Sequence, residues 1–433
     1  MSPAASGEAG GGLDAQVRAL EQAVDRDTFE IGDAGAPRSV DGVPVGGEFR
    51  PRSPDMLAAG LAALADARAV AVVRGGGSLL HEGHTPEAVD WVVDTGGLAD
   101  IDVFEPEEGV IHAGAGVRVA EIRARAAAEG WELALDTPGA PATLGGALAS
   151  AACGPRAGCF GPPRDVILGL EVALSDGART RCGGRVVKNV TGFDLAKLYA
   201  GSFGTLGVIE SAWLRLRPAP AERRALVFGD VLPGDAVLEQ ARRASVRAAV
   251  WLDPASARAF GPPGDPGQGV LVCEWAGAPE TIDRDVRASA AALGREAAPA
   301  PEGLVDAVRD RRARPPESGR VRARLVALPD RAPALLGELA GGGPGSGAAL
   351  SWWPVSGEIR IEAPWSGLPT AMRLRGRARA AGGHVVFEAL DPGDKPGIDC
   401  FGLSAATRRL MDELKRRFDP QGLLSPGRFG GVA

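Results

Sequence analysis

The residue types best suited to chemistry are concentrated in one stretch of the chain, residues 183–209, which reads GGRVVKNVTGFDLAKLYAGSFGTLGVI. The 433 residues include four lysines, one asparagine and one tyrosine, and Lys188, Asn189, Lys197 and Tyr199 all fall in this stretch. The other basic residues are nearly all arginine, and the chain is rich in Ala, Gly and Pro, as compositional drift would produce. Rare types kept together indicate a site that tolerates no substitute; chance clustering is the alternative.

Three glycine-rich turns could hold an anion. Residues 74–78 (RGGGS) follow a predicted strand, residues 138–146 (PGAPATLGG) run into the helical ALASAA, and residues 201–207 (GSFGTLG) run into a strand. Glycines free consecutive backbone N–H groups to face an anion, and a helix N-terminus favours a phosphate. Together the turns suggest a pyrophosphate held by backbone, whereas each turn alone could equally serve tight packing.

A fourth glycine pair, Gly114 and Gly116, imitates a dinucleotide-binding fingerprint. The third glycine of that fingerprint would fall at position 119, which is Val119, so the match is incomplete. The phosphate-binding pattern with a terminal Gly-Lys-Ser/Thr is absent from the sequence.

Four motifs in order carry a resemblance to a known family. RGGGS, TPGAPATLGGALAS, GPRAGCFGPPRDVILGLEVALSDG and KNVTGFDLAKLYAGSFGTLGVI resemble the FAD-binding domain of the vanillyl-alcohol oxidase and p-cresol methylhydroxylase family. The C-terminal FDPQGLLSPGR is similar to that family's closing motif, with Ser425 where Asn is usual. Within the family the pattern looks most like the E-type flavin subunit of glycolate oxidase.

The resemblance implies the residues that contact FAD. Residues 74–78 and 138–146 would match the two pyrophosphate loops, and Arg164 and Asp165 would lie near the flavin. Gly204 to Ile209 would line the adenosine and ribityl side, and the tail would return to the isoalloxazine edge. The implied FAD contacts are Arg74, Gly75, Gly76, Gly77, Ser78, Pro138, Gly139, Thr143, Gly145, Gly146, Arg164, Asp165, Asn189, Gly204, Gly207, Val208, Ile209, Ser425, Pro426 and Gly427.

The resemblance also bears on attachment of the cofactor and on metals. Members with covalent flavin have a histidine after the first glycine run, where this chain has Ser78, and His81 and His84 are offset from that place. We therefore expect non-covalent FAD. No histidine–glutamate cluster of the metal-binding relatives is evident, so we predict no metal.

Candidates for catalysis are few. Oxidation of a 2-hydroxy acid needs a base for the hydroxyl proton and a cation for the carboxylate. His384, in GGHVVFEAL, is the best base candidate, although it could equally be a polar residue that begins a strand. Lys188 could bind the carboxylate or the flavin; a surface ion pair is its alternative role.

The elements that would position these residues divide the chain. Short β-type and helical runs alternate over residues 52–217, with helices at 54–67 and 119–129 and strands at 69–73, 109–113, 166–174 and 208–216. Later Pro- and Gly-rich loops separate further strands and helices, ending in a helix at 405–418. We predict an α+β fold: a disordered leader over residues 1–33, a two-part α/β FAD-binding domain over 34–218, an α+β cap over 219–399, and a helix and tail over 400–433 that return to the flavin.

Composition excludes several classes of protein. A net charge of −7 provides no basic field for nucleic acid or anionic lipid, and no apolar run is long enough to span a bilayer. Five cysteines at irregular spacing indicate reduced thiols and a cytoplasmic location, and fit no zinc or iron–sulfur site.

The sequence therefore predicts an FAD-dependent oxidoreductase that converts a 2-hydroxy acid, glycolate by resemblance, to the 2-oxo acid. Its expected partners are a sister flavin subunit and an iron–sulfur subunit, which could also bring it to a membrane. Two alternatives remain open: a non-catalytic flavin-binding assembly subunit of a glycolate oxidase complex, and a stand-alone FAD oxidase of another alcohol.

Overall fold

The computed structural model describes residues 12–32, 38–185, 195–263, 265–340 and 347–429. Three large sheets organise these residues, and each sheet has helices packed against it. Two small two-stranded sheets join Ser39–Val40 to Val43–Pro44 and Trp131–Glu132 to Arg217–Pro218.

The first large sheet holds the strand that precedes the first glycine-rich turn. Its strands run in the order Phe29–Ile31, Gly47–Phe49, Trp91–Asp94 and Ala71–Arg74, and the last three are parallel to one another. Helices Leu13–Ala23 and Pro54–Asp66 cover it. Ser53 caps the second helix by accepting a hydrogen bond from Met56 N at 3.2 Å, as its position before Pro54 predicts.

The second large sheet is antiparallel and carries the third glycine-rich turn at the start of its central strand. Alternate residues of that strand face a buried core that helices Val119–Ala128, Leu144–Ser150 and Ala196–Tyr199 complete. Helix Ala157–Phe160 lies nearby in sequence. The strand order is Arg179–Gly183, Ile167–Ala173, Val208–Arg215, Val110–Gly114 and Val103–Glu105.

The third sheet, which we call the cap sheet, contains eight antiparallel strands from the second half of the described chain. Helices Asp235–Ala241, Pro279–Leu293, Ala332–Ala340 and Leu368–Ala380 pack on one face, and helices Pro254–Phe260 and Leu304–Asp310 pack on part of the other. The strand order is Ala297–Pro299, Glu222–Phe228, Val270–Gly277, Val246–Leu252, Ala349–Trp353, Glu358–Pro364, Arg320–Val326 and His384–Ala389.

The chain then returns to the first sheet. Helix Ala405–Phe418 is followed by a tail, residues 419–429, in which Leu424 forms a parallel bridge with Ala71. Ser425 N donates to Ala71 O at 2.7 Å. This hydrogen bond brings the tail beside the strand that leads into the first glycine-rich turn, as the predicted return of the tail requires.

The described part of the predicted disordered leader, residues 12–32, contains regular secondary structure. Leu13–Ala23 is a helix and Phe29–Ile31 is an edge strand of the first sheet. Leu20 and Phe29 are buried in the core of that sheet, so they are held by tertiary contacts that a local reading of the sequence does not reveal. The proposed domain limits at residues 218 and 399 stay predictions; all strands of the cap sheet fall between them.

Candidate functional site

A cleft of ≈ 820 Å³, counting its open mouth, lies between the first and second sheets. Residues from all three glycine-rich turns and from the tail line it. We call the turns the first (74–78), second (138–146) and third (201–207) glycine loops. The lining includes Arg74, Gly75, Gly76, Gly77, Ser78, Thr137, Pro138, Thr143, Gly145, Gly146, Phe203, Gly204, Gly207, Ile209, Ser425 and Arg428.

Glycines allow the first two loops to lie directly against each other. A Cβ atom on Gly75 would stand 2.1 Å from Thr143 Oγ1, and one on Gly76 would stand 1.7 Å from Pro141 O. Neither space can hold a side chain, because real Cβ contacts are longer than 3 Å. At these two positions glycine is therefore needed for tight packing of the loops, which is one of the two roles that the sequence left open. This packing shapes the wall of the cleft.

Gly146 is different, because a Cβ atom there would have a single close neighbour, a side-chain oxygen. The nearest heavy atom to a Cβ there would be Thr143 Oγ1 at 3.3 Å. Thr143 caps helix Leu144–Ser150 by accepting a hydrogen bond from Gly146 N at 3.4 Å. The second loop thus presents backbone rather than side chains to the cleft.

Arg74 is held by carboxylates and does not reach freely into the cleft. Its Nη2 atom donates to Glu48 Oε1 at 2.5 Å and to Asp94 Oδ2 at 2.8 Å. Burial alone would lower its pKa, but hydrogen bonds and charge from Asp94 and Glu48 hold the pKa of Arg74 above the usual value. Its charge is therefore shared with two acids, and Arg74 acts mainly to fix the end of its strand.

Three buried hydroxyl groups of the lining have no hydrogen-bond partner in the described part of the chain: Ser78 Oγ, Thr137 Oγ1 and Ser425 Oγ. Buried polar atoms are nearly always hydrogen-bonded, to protein or to ordered water, so these three hydroxyl groups are available to a bound molecule. A ligand rich in phosphate, ribityl and ring acceptors, as FAD is, fits this set of hydroxyl groups and backbone amides.

The third glycine loop and the tail close the cleft with aromatic contacts. Phe203 adopts a left-handed backbone, with φ at +53°, and donates its N–H to Ala149 O at 2.9 Å. The Phe203 ring packs edge-on against Phe429 of the tail with centroids 5.4 Å apart. Buried Arg428 donates to Leu80 O at 2.6 Å, so the tail is also fixed to the segment after the first loop.

Several residues assigned to FAD by resemblance lie elsewhere. Arg164 and Asp165 are exposed and line no part of the cleft. Val208 is buried in the core of the first sheet. Gly139 lies between Ser78 and Ala313, and Pro426 and Gly427 line a separate hollow beside the last helix.

Two candidates, Lys188 and Asn189, fall outside the described residues. The other members of their cluster have different surroundings. Tyr199 is 1% exposed and packs edge-on against Phe418, so it is a core residue, while Lys197 lies in the short helix Ala196–Tyr199.

The base candidate His384 does not line the cleft either. It begins the last strand of the cap sheet, where it pairs with Val326, and it is exposed. Its catalytic role stays a prediction that no contact supports.

The sequence reading missed a charged face of the cap sheet. RVRAR in strand Arg320–Val326 and EIRIE in strand Glu358–Pro364 alternate charged with apolar residues, which is the period-two signal of a strand with one polar face. Glu388 of the neighbouring strand is fully buried and lies 3.3–3.5 Å from the guanidinium nitrogens of Arg312, Arg324 and Arg360. These arginines hold the pKa of Glu388 below its usual value although burial alone would raise it.

A cavity of ≈ 1500 Å³ opens on this charged face, lined in part by Arg312, Arg314, Arg322 and Arg360. Nη1 of Arg360 is buried and has no hydrogen-bond partner among the described residues. The Arg360 guanidinium carbon lies 3.4 Å from the centroid of the Trp353 ring, which fixes its plane. The cavity lining thus holds both these arginines and the carboxylates of Asp306, Asp310 and Glu362, and Arg360 Nη1 is the donor that could bind an anionic group.

Comparisons with known proteins agree with this geometry. Residues 47–183 match the family model described as FAD binding domain. D-lactate dehydrogenase of Archaeoglobus fulgidus is 34% identical over 174 residues, which cover 40% of this chain and 39% of that protein. Glycolate oxidase subunit GlcE of Escherichia coli (strain K12) is 38% identical over 119 residues, which cover 27% of this chain and 34% of that protein.

A solved structure extends the likeness to the whole fold. The structure of p-cresol methylhydroxylase with substrate bound superposes with a TM-score of 0.68 at 14% identity and covers 97% of both chains. The chain thus contains an FAD-binding domain and has the p-cresol methylhydroxylase-type fold, which confirms the predicted α+β class and the family resemblance. FAD is the cofactor of this domain. The alignments span less than two fifths of both curated relatives.

Proposed function

We propose that FAD binds non-covalently in the cleft between the three glycine loops and that the chain oxidises a 2-hydroxy acid, with glycolate the first substrate to test. The observation that carries the proposal is the cleft lined by backbone amides and by three buried hydroxyl groups without a partner in the described chain. Ser78 occupies the position at which covalent relatives have a histidine, which supports the non-covalent attachment.

FAD supplies hydride acceptance when it is bound, and the protein supplies binding and orientation. In this proposal Gly146 lies where a phosphate approaches, because it lines the cleft in the first turn of helix Leu144–Ser150 and a Cβ atom there would meet only Thr143 Oγ1 within 4 Å. Ser78, Thr137 and Ser425 donate to oxygens or ring atoms of the cofactor. Lys188 and Asn189 remain proposed contacts of the flavin or substrate, supported by their rarity in the chain.

The charged face of the cap sheet supports an acid as the substrate. Arg360 lies beside Glu358 and Glu388, but its Nη1 atom has no hydrogen-bond partner among the described residues, and a guanidinium whose plane is fixed can bind a carboxylate. A neutral alcohol would leave that donor unpaired, so the face favours 2-hydroxy acids over the alternative of a stand-alone oxidase of another alcohol.

A second function is favoured by one observation. Among the described residues that line the cleft there is neither a histidine nor a carboxylate. A non-catalytic flavin-binding assembly subunit would have no need of a base, so this alternative stays open beside the enzyme.

The proposed setting is a complex with a sister flavin subunit and an iron–sulfur subunit. Support comes from one relative, which is named as a subunit of glycolate oxidase. The described residues also contain no cluster of three or more His, Cys, Asp or Glu side chains that could hold a metal. No helix in the described part is long and apolar enough to cross a membrane. We propose a cytoplasmic location, with any membrane association made through partners.

The test is the visible spectrum of the purified chain, followed by anaerobic addition of glycolate, D-lactate and a simple alcohol. Bleaching by a hydroxy acid and not by the alcohol is the expected result. Acid precipitation should release the yellow colour into the supernatant. Colour kept in the pellet would refute non-covalent binding, and a bound flavin that no acid reduces, with partner subunits present, would favour the assembly subunit.

A further inference from the structure

Residues 309–313, which we call the cap clasp, belong to the part of the chain that forms the cap sheet, and they contact the first two glycine loops or the segment just after them. The clasp begins in helix Leu304–Asp310 and continues through a short 3-10 turn, Arg311–Ala313. Two of its side chains, Asp310 and Arg312, contact residues in or just beyond the first two glycine loops, more than 170 positions earlier in the chain.

Asp310 holds the second loop. Its Oδ1 atom accepts a hydrogen bond from Gly139 N at 2.9 Å. Arg309 fixes the same carboxylate with hydrogen bonds of 2.8 Å and 3.1 Å. Gly139 has φ at +91°, and a Cβ atom there would come within 2.9 Å of both Ser78 Cβ and Ala313 Cβ. The second loop is therefore pressed between the first loop and the clasp.

Arg312 holds the segment that follows the first loop. Its Nε and Nη2 atoms donate to the two carboxylate oxygens of Glu82 at 2.6 Å and 2.7 Å. Both side chains are buried, and Glu388 of the cap sheet lies 3.3 Å from the same guanidinium. The bidentate geometry is strong and directional, so it fixes where the chain leaves the first loop.

We propose that Asp310 and Arg312 are positioning residues for FAD, so that docking of the cap clasp and binding of the cofactor are thermodynamically coupled. The proposal rests on the proposed location of FAD between the glycine loops. With the clasp docked, the two loops already have their binding geometry, and FAD does not have to order them. Linkage then requires that FAD stabilise the docked clasp by the same factor.

The test compares two contacts that join the second half of the chain to the first half, a partly buried one made by Asp310 and a buried one made by Arg247. Asp310→Ala removes the acceptor of Gly139 N, and Asp310→Asn keeps an acceptor oxygen and so should restore part of the affinity. Arg247→Met is the matched control, because Arg247 makes a buried bidentate pair with Glu132, at 3.0 Å and 2.6 Å, that touches no glycine loop. FAD affinity of the apoprotein is measured by quenching of flavin fluorescence, and stability by urea unfolding.

We expect Asp310→Ala to raise the Kd for FAD by about tenfold or more, the scale of one hydrogen bond to a charged group. Arg247→Met should lower stability and leave the Kd within about twofold. Equal changes of Kd in both variants, or none in Asp310→Ala, would overturn the proposal. A wild-type chain that binds no FAD would overturn the proposed site as well, whereas wild-type binding with an unchanged Asp310→Ala would overturn only the coupling.

Hydrogen exchange measured on the wild type tests the same coupling without a variant, so it applies even if a variant does not fold. In the wild type, saturating FAD should slow amide exchange in residues 309–313 more than in helix Asp235–Ala241, which lies on the opposite face of the cap sheet. Equal protection of the two segments would contradict the coupling.

Discussion

At the scale of single residues, glycines that look alike in the sequence have different structural roles. A side chain on Gly75 or Gly76 would collide with the second loop, while a Cβ atom on Gly146 would meet only Thr143 Oγ1, at 3.3 Å. Substitution at the first two positions therefore tests loop packing, and substitution at Gly146 tests what occupies the cleft. The distinction separates structural loss from loss of cofactor binding.

Gly146→Asp should abolish FAD binding while the protein stays folded. The Cβ atom needs only a small shift of Thr143 Oγ1, whereas in the proposed site the carboxylate would face the phosphates of FAD and repel them. Gly146→Asn has nearly the same size without the charge, and we expect its Kd for FAD to be at least about tenfold lower than that of the Asp variant. The measurement is FAD titration of both apoproteins, with urea unfolding as the control of folding. Equal affinity in the Asp variant and the wild type would mean that the pyrophosphate lies elsewhere.

Tyr199 offers a pH test, because it is the one tyrosine in the sequence. Burial raises the pKa of Tyr199 to about 12. The folded state then holds its proton where the unfolded state, with a pKa near 10, releases it. Stability from this group is thus complete below pH 10 and is lost as the pH rises from 10 towards 12. Absorbance of phenolate at 295 nm should appear near pH 12 in the native protein and near 10 in urea; a native titration near 10 would show an exposed ring.

Among the elements, the last helix and the tail are joined to the third glycine loop through one lysine of the helix. Helix Ala405–Phe418 has no fully buried residue, yet Lys415 on it reaches inward. Lys415 Nζ donates to Thr205 O of the third glycine loop at 2.9 Å, to Leu424 O at 2.6 Å and to the carboxylate of Asp419. One side chain therefore joins the helix, the tail and the third loop.

Lys415→Met should lower both stability and FAD affinity. It leaves buried Asp419 without its cation, a loss of about 3–5 kcal/mol for broken buried pairs, and it frees the tail that carries Ser425. Arg417→Met, on the same helix in an exposed pair with Glu413, should change stability by no more than about 1 kcal/mol. Urea unfolding and FAD titration measure the two effects. Unchanged FAD affinity in Lys415→Met would show that the tail does not shape the cleft.

At the scale of the whole molecule, buried ion pairs connect the cap sheet to the second sheet's side of the chain. Arg156 contacts both carboxylate oxygens of Glu274 at 2.8 Å and 2.6 Å, and it also contacts Asp306 at 2.7 Å and Asp136 at 3.1 Å. Its side chain is 11% exposed. Such a network fixes the cap sheet relative to the part of the chain that forms the second sheet, because each charge is costly to bury alone.

Arg156→Met should therefore lower the free energy of unfolding by about 3–5 kcal/mol, since it leaves several carboxylates without their shared cation. Arg52→Met is the matched control, because Arg52 pairs at 2.6 Å with Asp27 and both side chains are exposed. We expect the control to change stability by no more than about 1 kcal/mol. Urea unfolding monitored by tryptophan fluorescence measures both, and similar losses in the two variants would mean that the buried network does not join the parts.

The sequence by itself determined the local elements and the class of cofactor site. The helix over 54–67 with its serine cap, the helix at 405–418 and the strands before and after the glycine loops follow from periodicity, capping and glycine, which act over a few residues. The glycine turns alone suggested a pyrophosphate held by backbone amides, and the resemblance of the motifs, in their order, to a known family predicted the FAD-binding domain.

Only the tertiary structure decided which glycines touch each other, which residues face the cleft and how the cap is attached. Pro141 O blocks Gly76, Asp310 reaches Gly139, and Leu20 and Phe29 bury the presumed leader, and all of these contacts join residues far apart in sequence. Alternation in RVRAR predicts a polar strand face but not the buried carboxylate that faces it. Such pairings depend on how the sheets pack together, and a local pattern carries no information about that packing.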